Sequence, residues 1–404
     1  IESGLGILDF ITGTRPFASR RIDSGALAQA CASVHCSFLL NGWNEIAEPE
    51  SHRAVSALRQ LVREFPAAGI IIATRTHHIT PPLAGVIRVW LRPLTKPQRR
   101  EYLRARLGQR SEDLRARLDN DPVLDELTRT PFVLSEVSDL FEKDVPIPAT
   151  KMGVIAEVLG LHERSEEHRH QLEFYPIEGF SSEYLTALAN LMTASGGVDA
   201  TERNARAAID AVGSELHAAH QIAAAPRPLA ILGTLCAHHV LERETYRVTA
   251  FRFEHQQFQE FYAALGLQHR IGAVLQQGDE EMRREFANLY VNEPAWEEPL
   301  RMIADYIGSN AAWPAAEVDA VQAGTLLVES ALRVDPVFGA ELARLCGPSV
   351  WKEVRTPVIE RLRSLYAVPN PGYRQLAVAA MFASGSQDFQ DIIVPILSGE
   401  TTEE

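Results

Sequence analysis

A short apolar run, Phe38 to Leu40, ends at Asn41-Gly42, and this polar pair is a common turn signal. An apolar run bounded in this way predicts a buried β-strand that stops abruptly at a polar tip. In open α/β sheets, ligands bind just beyond the C-terminal ends of the strands. We therefore expect Asn41, Asn44 and Glu45 to face a ligand crevice.

One helix and a second strand follow this run. Apolar residues recur at helical spacing between residues 50 and 65, at Val55, Leu58, Leu61, Val62 and Phe65. The run Ile70 to Ala73 predicts a second buried strand, with Thr74 and Arg75 at its tip. The two tips would then lie side by side, one with a carboxylate and one with a guanidinium. In nucleoside triphosphate chemistry, such an acid can orient Mg²⁺ or water, and such a cation can sense the terminal phosphate.

Two further strands are predicted at the edges of this α/β part. Residues Gly6 to Ile11 are consistent with a strand fragment, and the helix after them is expected at Ser24 to Ala32. The stretch Val86 to Leu91 alternates between apolar and other residues, which is typical of a strand that leaves the sheet.

The pattern becomes helical after residue 94. Thr95 and Gln98 form a capping box, and Pro131 opens a helix with an apolar stripe. Three helices are predicted between residues 180 and 238, and the stretch 240–253 after them, which alternates from Tyr246 to Phe253, predicts a β-hairpin. Seven helices are predicted after residue 270, near 280–290, 296–308, 315–333, 335–346, 350–366, 372–384 and 388–398.

Four stretches resemble NACHT ATPases, a class of signal-transduction NTPases, and they occur in that family's order. LLNGWNEI followed by IIIATR resembles the Walker B and sensor 1 segments. RPLTKPQRREYLRARL followed by LTRTPFVLSEVSDLF is similar to the helical domain, and FRFEHQQFQEFYAALGL is similar to the end of the winged-helix domain. Together they cover about residues 25 to 310. Near the C-terminus, residues 373–397 resemble one HEAT-type helical pair.

The resemblance implies a multidomain, mainly α architecture with a partial P-loop-type α/β nucleotide-binding domain. The expected boundaries are 1–94 for the nucleotide-binding domain, 95–160 for a helical domain, 161–268 for a winged helix and 269–404 for a helical region leading into HEAT-like repeats. Plain helical-bundle packing remains the alternative for the last region.

The resemblance also assigns roles to single residues. Glu45 would orient or activate the attacking water, and Arg75 would read the γ-phosphate. Pro131 would pack against the adenine base, and His255 would contact the β-phosphate of bound ADP. In the full-length protein the cofactor would be ATP or ADP with Mg²⁺. From the residues alone, Pro131 is equally an ordinary first-turn proline and His255 a surface histidine.

Two departures from the family concern catalysis. Asn41 stands where the family has an Asp that helps to hold the metal, and an amide is a weaker partner for Mg²⁺ than a carboxylate. The phosphate-cradling loop G-x-x-x-x-G-K-[ST] does not occur. A chain cut after that loop and a protein that never had it both fit, since the sequence begins at Ile1. We expect this chain to hydrolyse ATP very slowly or not at all, and to bind it no tighter than about millimolar.

Charge and composition limit the partners. The net charge of −14 and the pI near 5.5 argue against a general nucleic-acid binder. The arginine-rich stretch from Arg99 to Arg117 is interpreted as the solvated face of a charged helix. Four scattered cysteines indicate a reducing cytoplasm rather than a disulfide framework. No apolar run approaches the roughly 20 residues that span a bilayer, so we expect no membrane contact. The segment His168-x-His170 matches no zinc pattern, and we expect no metal site of that kind.

Three functions are consistent with these features. The first is a nucleotide-regulated signalling switch, in defence or innate-immune-type signalling, with protein partners and self-oligomerisation through the helical domains. The second is a catalytically silent protein-interaction scaffold of the same ancestry. The third, a winged-helix DNA-binding regulator, is disfavoured, because the predicted recognition helix, Leu229 to Val240, has neither Arg nor Lys.

Overall fold

Helices make up most of the chain, as the apolar spacing predicts. The computed structural model describes residues 6–34, 36–41, 43, 48–74, 86–164, 172–224, 226–238, 240–245, 248–309 and 318–398. The chain divides into two units, residues 1–91 with 194–198 and residues 92–193 with 199–404. Within the described residues, no helix is both long enough and apolar enough to cross a bilayer.

The first unit begins with three short helices. They are α1 (Ile7–Gly13), α2 (Arg15–Ala18) and α3 (Ser24–Ser33). The helix predicted at Ser24 is confirmed, but the strand predicted from Gly6 to Ile11 is wrong, since α1 occupies it. Ile7, Leu8 and Ile11 are spaced so that a helix turns all three towards the small core of this unit, which a strand would not do.

The strand–helix–strand element of the first unit is confirmed. Strands β1 (Ser37–Leu40) and β2 (Gly69–Ile72) pair in parallel, with Phe38 opposite Ile70. Helix α4 (Glu48–Glu64) connects them. Its residue Leu61 packs with Phe38 and with Phe65, which follows the helix, and these three form the buried core of the unit.

The two strands are covered on one face only, so the prediction that they are buried holds for that face and is wrong for the other. Leu39 is 74% exposed and Ile71 is 60% exposed. Successive strand residues point to opposite faces of a sheet, and α4 covers the face that carries Phe38. The apolar runs predicted burial, but the sequence pattern does not show which face of each strand a helix covers.

The predicted strand from Val86 to Leu91 is also wrong. The segment is irregular, and its large apolar side chains lie open to solvent, up to complete exposure at Leu91. Alternation favours a strand only where a neighbouring strand supplies hydrogen bonds. None of the described strands pairs with this segment.

The second unit begins with helices packed around a common apolar core. They are α5 (Lys96–Leu107), α6 (Ser111–Asn120), α7 (Pro122–Leu127), α8 (Pro131–Glu142) and α9 (Lys151–Arg164). The Thr95 backbone N–H donates to Gln98 Oε1 at 2.9 Å, which confirms the reach-back half of the predicted capping box. The apolar stripe of α8 is buried as predicted.

One arginine of the basic stretch departs from its predicted position. Arg99 is only 4% exposed, whereas Arg100 beside it is solvated. The Arg99 guanidinium is bound to Asp125 and Thr128 of the following helices. The interpretation of this stretch as a solvated face is therefore wrong at Arg99, which turns inwards because α7 offers it oxygen acceptors.

Three helices and a small antiparallel sheet follow. They are α10 (Ser181–Ala194), β3 (Asp199–Thr201), α11 (Glu202–Ala218), α12 (Pro228–Ala237), β4 (Leu241–Thr245) and β5 (Thr249–Phe253). The predicted hairpin is confirmed as β4 and β5. β3, which the pattern did not predict, pairs with β5, so the strand order is β3-β5-β4.

The remaining helices form a stacked array. They are α13 (Gln256–Gln277), α14 (Glu280–Phe286) with a π-helical continuation, α15 (Glu297–Gly308), α16 (Ala320–Val334), α17 (Pro336–Leu345), α18 (Gly347–Ala367), α19 (Pro371–Ser384) and α20 (Gln390–Ser398). Each helix predicted after residue 270 is present with slightly different ends. α16 packs on α18 and α17 on α19, so one helical pair lies on the next.

Candidate functional site

In the first unit, the ends of β1 and β2 lie side by side, as predicted. The Ala73 N–H donates to the Leu40 carbonyl at 2.8 Å, and the Trp43 N–H donates to the Ala73 carbonyl at 3.1 Å. Asn41 leaves β1 at this edge with its side chain exposed. The neighbouring Thr74 has a buried hydroxyl without a partner among the described residues.

Three of the predicted residues at this edge cannot be placed. Asn44, Glu45 and Arg75 lie outside the described residues, so their proposed convergence stays a prediction. His168 and His170 also lie outside them. Elsewhere in the described ranges, no three His, Cys, Asp or Glu side chains lie close enough together to hold a metal ion.

In the second unit, the structure brings the starts of α8 and α13 together. Pro131 is the first residue of α8 and is exposed. The ring of Phe132, next to it, meets the imidazole of His255 edge-on, with the ring centroids 5.5 Å apart. Phe258 lies behind both rings, 6.1 Å from Phe132 and 5.3 Å from His255. The contact therefore joins His255 to Phe132, the residue next to Pro131, although the two helix starts lie far apart in the chain.

His255 caps α13 with its backbone and leaves its side chain exposed. Its carbonyl accepts the Phe258 N–H at 2.9 Å, and its imidazole makes no capping hydrogen bond. The start of a 22-residue helix carries a partial positive charge and unpaired N–H groups, so it favours an anion. A neutral or charged imidazole there can donate a further hydrogen bond. This end of α13 can therefore hold a phosphate or a carboxylate.

Glu136 lies one helical turn beyond Phe132 on α8 and adds a titratable group to this region. Burial, together with the negative charge of Asp139, raises the pKa of Glu136 to about 7. Arg106 and Lys143 partly offset this effect, whereas Glu254, beside His255, adds to it. Near neutral pH this carboxyl is therefore partly protonated, which weakens its repulsion of an anion nearby.

The raised pKa of Glu136 predicts a pH-dependent stability. Its folded-state pKa of about 7 lies above the ordinary value of 4.5, so the unfolded chain loses this proton first. The contribution to stability is complete below the ordinary value and is lost as the pH rises through about 7. We expect Glu136→Gln to melt at a higher temperature than wild type at pH 8 and to differ less at pH 5. Thermal melts at both pH values measure this.

The exposed Glu353 of α18 provides the control for that prediction. Glu353→Gln should leave the pH dependence of the melting temperature unchanged. If Glu136→Gln and wild type lose the same stability between pH 5 and pH 8, Glu136 does not titrate in the proposed range.

Of the residues described at the starts of α8 and α13, the sequence indicated Pro131 and His255 as site residues but not Phe132 and Glu136. Pro131 and His255 came from the family resemblance. Phe132 was visible only as part of an apolar segment, and Glu136 only as a helical acid, so neither carried a signal of its contact. The position of Phe132, next to Pro131 at the helix start, is the one feature that could have indicated it.

Comparison with known protein families and curated proteins identifies no relative of this chain. No protein-family model matches the sequence, and no curated protein is significantly similar to it. The function is therefore inferred from the residues at the starts of α8 and α13 and at the ends of β1 and β2.

Proposed function

We propose that this protein is a nucleotide-regulated signalling switch of the NACHT class, which responds to the exchange of ADP and ATP. The observation that carries the proposal is the contact between Phe132 and His255, since it brings the starts of α8 and α13 together. Such a switch requires a ligand that binds two arrangements of the chain with different affinity. A nucleotide that contacts both helix starts meets this requirement. If the helices separate, the nucleotide loses its contacts with one of them and binds more weakly.

The exposed groups at the starts of α8 and α13 fit the two ends of a nucleotide. Pro131 offers an apolar ring with no N–H to satisfy, which suits the face of a base. His255 and the N–H groups in the first turn of α13 suit a phosphate. Bound Mg²⁺ would supply charge neutralisation at the phosphates. Asn41, at the end of β1, is a neutral amide where NACHT ATPases have an Asp, so the proposal assigns this chain nucleotide sensing rather than rapid hydrolysis.

Chemical shifts of the imidazole test the role of His255. We expect ADP, added at millimolar concentration to ¹³C-histidine-labelled chain, to shift the His255 signals more than AMP does, because only ADP carries a β-phosphate. His255→Ala should remove the difference in affinity between ADP and AMP, which we expect to be about tenfold. Titration of both nucleotides into wild type and variant measures it.

A histidine elsewhere in the unit gives the matched control. His217, exposed at the end of α11, should show no shift, and His217→Ala should keep the ADP preference. Equal affinity of wild type and His255→Ala for ADP would remove His255 from the site. If neither nucleotide perturbs any histidine, the alternative of a catalytically silent interaction scaffold is favoured.

The DNA-binding alternative has little support from the charges of the relevant helix. The helix α12 that a winged helix would place in the major groove has the sequence PLAILGTLCA and carries no charged side chain. Base edges are read by hydrogen-bonding side chains such as Arg, Asn and Gln, which this helix lacks. We expect no shift of a DNA duplex in a gel at low salt.

A further inference from the structure

A groove in the second unit lies between three helices, α10, α11 and α13, and contains neither Pro131 nor His255. Its volume is about 690 Å³, within the range of roughly 300–1,000 Å³ that is usual for small-molecule sites. Alanines from α10 and α11 line it, including Ala187, Ala208 and Ala211. These small side chains do not fill the space between the three helices.

Two amide side chains line this groove without complete pairing. Gln268 of α13 is only 3% exposed, and its Nε2 has no hydrogen-bond partner among the described residues. Asn190 of α10 is half-buried, and its Oδ1 likewise has none. A buried polar atom without a hydrogen-bond partner destabilises the folded chain, and this groove has two such atoms. A ligand that pairs with both atoms would offset that cost.

The position of Asn190 depends on a glycine of the facing helix. A Cβ atom on Gly266 of α13 would lie 2.4 Å from the Asn190 amide nitrogen, so only glycine leaves the amide this space. The Asn190 side chain thus lies against the α13 backbone at Gly266, two positions before Gln268. The helix α13 therefore contributes both a donor and the space for an acceptor.

The rim of the groove is charged, in contrast to its walls. The exposed carboxylates of Glu183 and Glu215 lie on the α10 and α11 sides, and His269 and Arg270 lie on the α13 side. Carboxylates at the mouth accept hydrogen bonds from hydroxyl groups, as an acidic residue does from the ribose in dinucleotide-binding folds. A ligand with a flat amide-like edge and a polar, hydroxyl-bearing remainder fits this distribution.

We propose that the groove between α10, α11 and α13 binds a neutral ligand of nucleoside size that presents a hydrogen-bond donor beside an acceptor, as a nucleobase or a carboxamide does. Both atoms are buried in the ligand-free chain, so the two amide side chains turn into the groove on binding, where Gln268 Nε2 donates to the acceptor and Asn190 Oδ1 accepts from the donor. Asparagine and glutamine amides pair in this two-point manner with base edges. The proposed site contains neither Pro131 nor His255, so this proposal does not depend on nucleotide binding at those residues.

Matched probes test the requirement for a donor beside an acceptor. We expect adenosine, uridine or nicotinamide to show saturation transfer from the protein and a Kd in the micromolar to millimolar range, with at least tenfold weaker binding of methyl nicotinate and ribose. Methyl nicotinate keeps the ring of nicotinamide but has no N–H donor. Binding of the nucleosides but not nicotinamide would identify the ligand class as a nucleobase, and binding of nicotinamide alone would identify it as a carboxamide. If none of the three binds more tightly than its control, the proposal is wrong.

Variants locate the binding and separate it from the His255 cluster. Ala211→Trp fills the rim of the groove and should weaken binding at least tenfold, whereas Ala207→Trp, on an exposed neighbouring position outside the lining, should not. Gln268→Met keeps the side-chain length and should weaken binding as well while raising the melting temperature, because it removes an unpaired polar atom. Binding that survives both groove variants but disappears in His255→Ala would overturn the proposal.

Discussion

Replacing Gly308 with alanine is expected to destabilise the second unit by about 1–3 kcal/mol or more, the cost of overpacking a closely packed interior. Gly308 is the last residue of α15, and a Cβ atom there would lie 2.1 Å from the Leu345 carbonyl oxygen. That oxygen belongs to the backbone and cannot rotate away as a side chain can. Gly347, at the start of α18, approaches Gly308 as well, since a Cβ atom on Gly347 would lie 3.2 Å from the Gly308 Cα. The variant must therefore move α15 away from the turn between α17 and α18.

Gly233 provides a matched control for this prediction. It lies in the interior of α12, is exposed, and has open space where a Cβ atom would be placed. Alanine is the better helix former by about 1 kcal/mol, so Gly233→Ala should be neutral or stabilising. Urea unfolding followed by circular dichroism measures both variants. If Gly308→Ala is as stable as Gly233→Ala, the close approach of α15 to the α17–α18 turn is not present in solution.

The helices of this protein were predictable because their apolar residues repeat with a period near 3.6. Trp296, Leu300, Ile303 and Ile307 all turn inwards, and the helix around them was placed to within one residue at its start. The close approach at Gly308 was not predictable in the same way. A glycine near a helix end usually indicates a cap, and only the position of another turn shows that it is a contact.

Strands were predicted less well, because a strand is defined by its neighbours. Asp199 to Thr201 has no alternating pattern, and it is a strand because Ala200 lies opposite Phe251 of β5. The stretch Val86 to Leu91 has the pattern and is not a strand. The sequence thus identified the apolar segments, while pairing partners decided which of them became part of a sheet.

The candidate sites divide in a similar way. Pro131 and His255 could be named from the sequence, since their motifs resemble those of a known family. The contact between Phe132 and His255 joins residues more than 100 positions apart, and no local pattern predicts it. Gln268 is an even clearer case, since glutamine on a helix usually lies on the solvated face. Its side chain is only 3% exposed, and that burial could be seen only in the folded chain.

Replacing the buried Arg99 with methionine should cost about 2–3 kcal/mol in the free energy of unfolding, the range for hydrogen bonds that involve charged groups. Arg99 Nη1 donates to the Asp125 carbonyl at 2.7 Å and to Thr128 Oγ1 at 2.8 Å, and Nη2 donates to Asp125 Oδ1 at 2.7 Å. Burial alone would raise the pKa of Asp125, but the hydrogen bond and charge of Arg99 bring it below its ordinary value. Methionine retains the apolar stem of the side chain but removes these three hydrogen bonds.

The neighbouring Arg100 supplies the control for the same substitution. It is 50% exposed, and its closest acid, Asp119, is 3.8 Å away, so Arg100→Met should change stability by no more than about 0.5 kcal/mol. A double-mutant cycle of Arg99→Met with Asp125→Asn isolates the pair, and we expect the two effects to be clearly less than additive. Equal destabilisation by Arg99→Met and Arg100→Met would show that Arg99 is solvated in solution, as the basic pattern alone suggests.

The same substitution also tests how the contact between Phe132 and His255 is positioned. Arg99 fixes the end of α7 at Thr128, three residues before Pro131 opens α8, and the Leu94 N–H donates to the Arg129 carbonyl at 2.8 Å in the same turn. Loosening this turn should change the angle at which α8 presents Phe132 to His255. We therefore expect Arg99→Met, under conditions in which it remains folded, to shift the His255 imidazole signals although the two residues do not touch. Unchanged His255 signals would mean that the packing of the α8 stripe alone, without Arg99, holds the cluster in place.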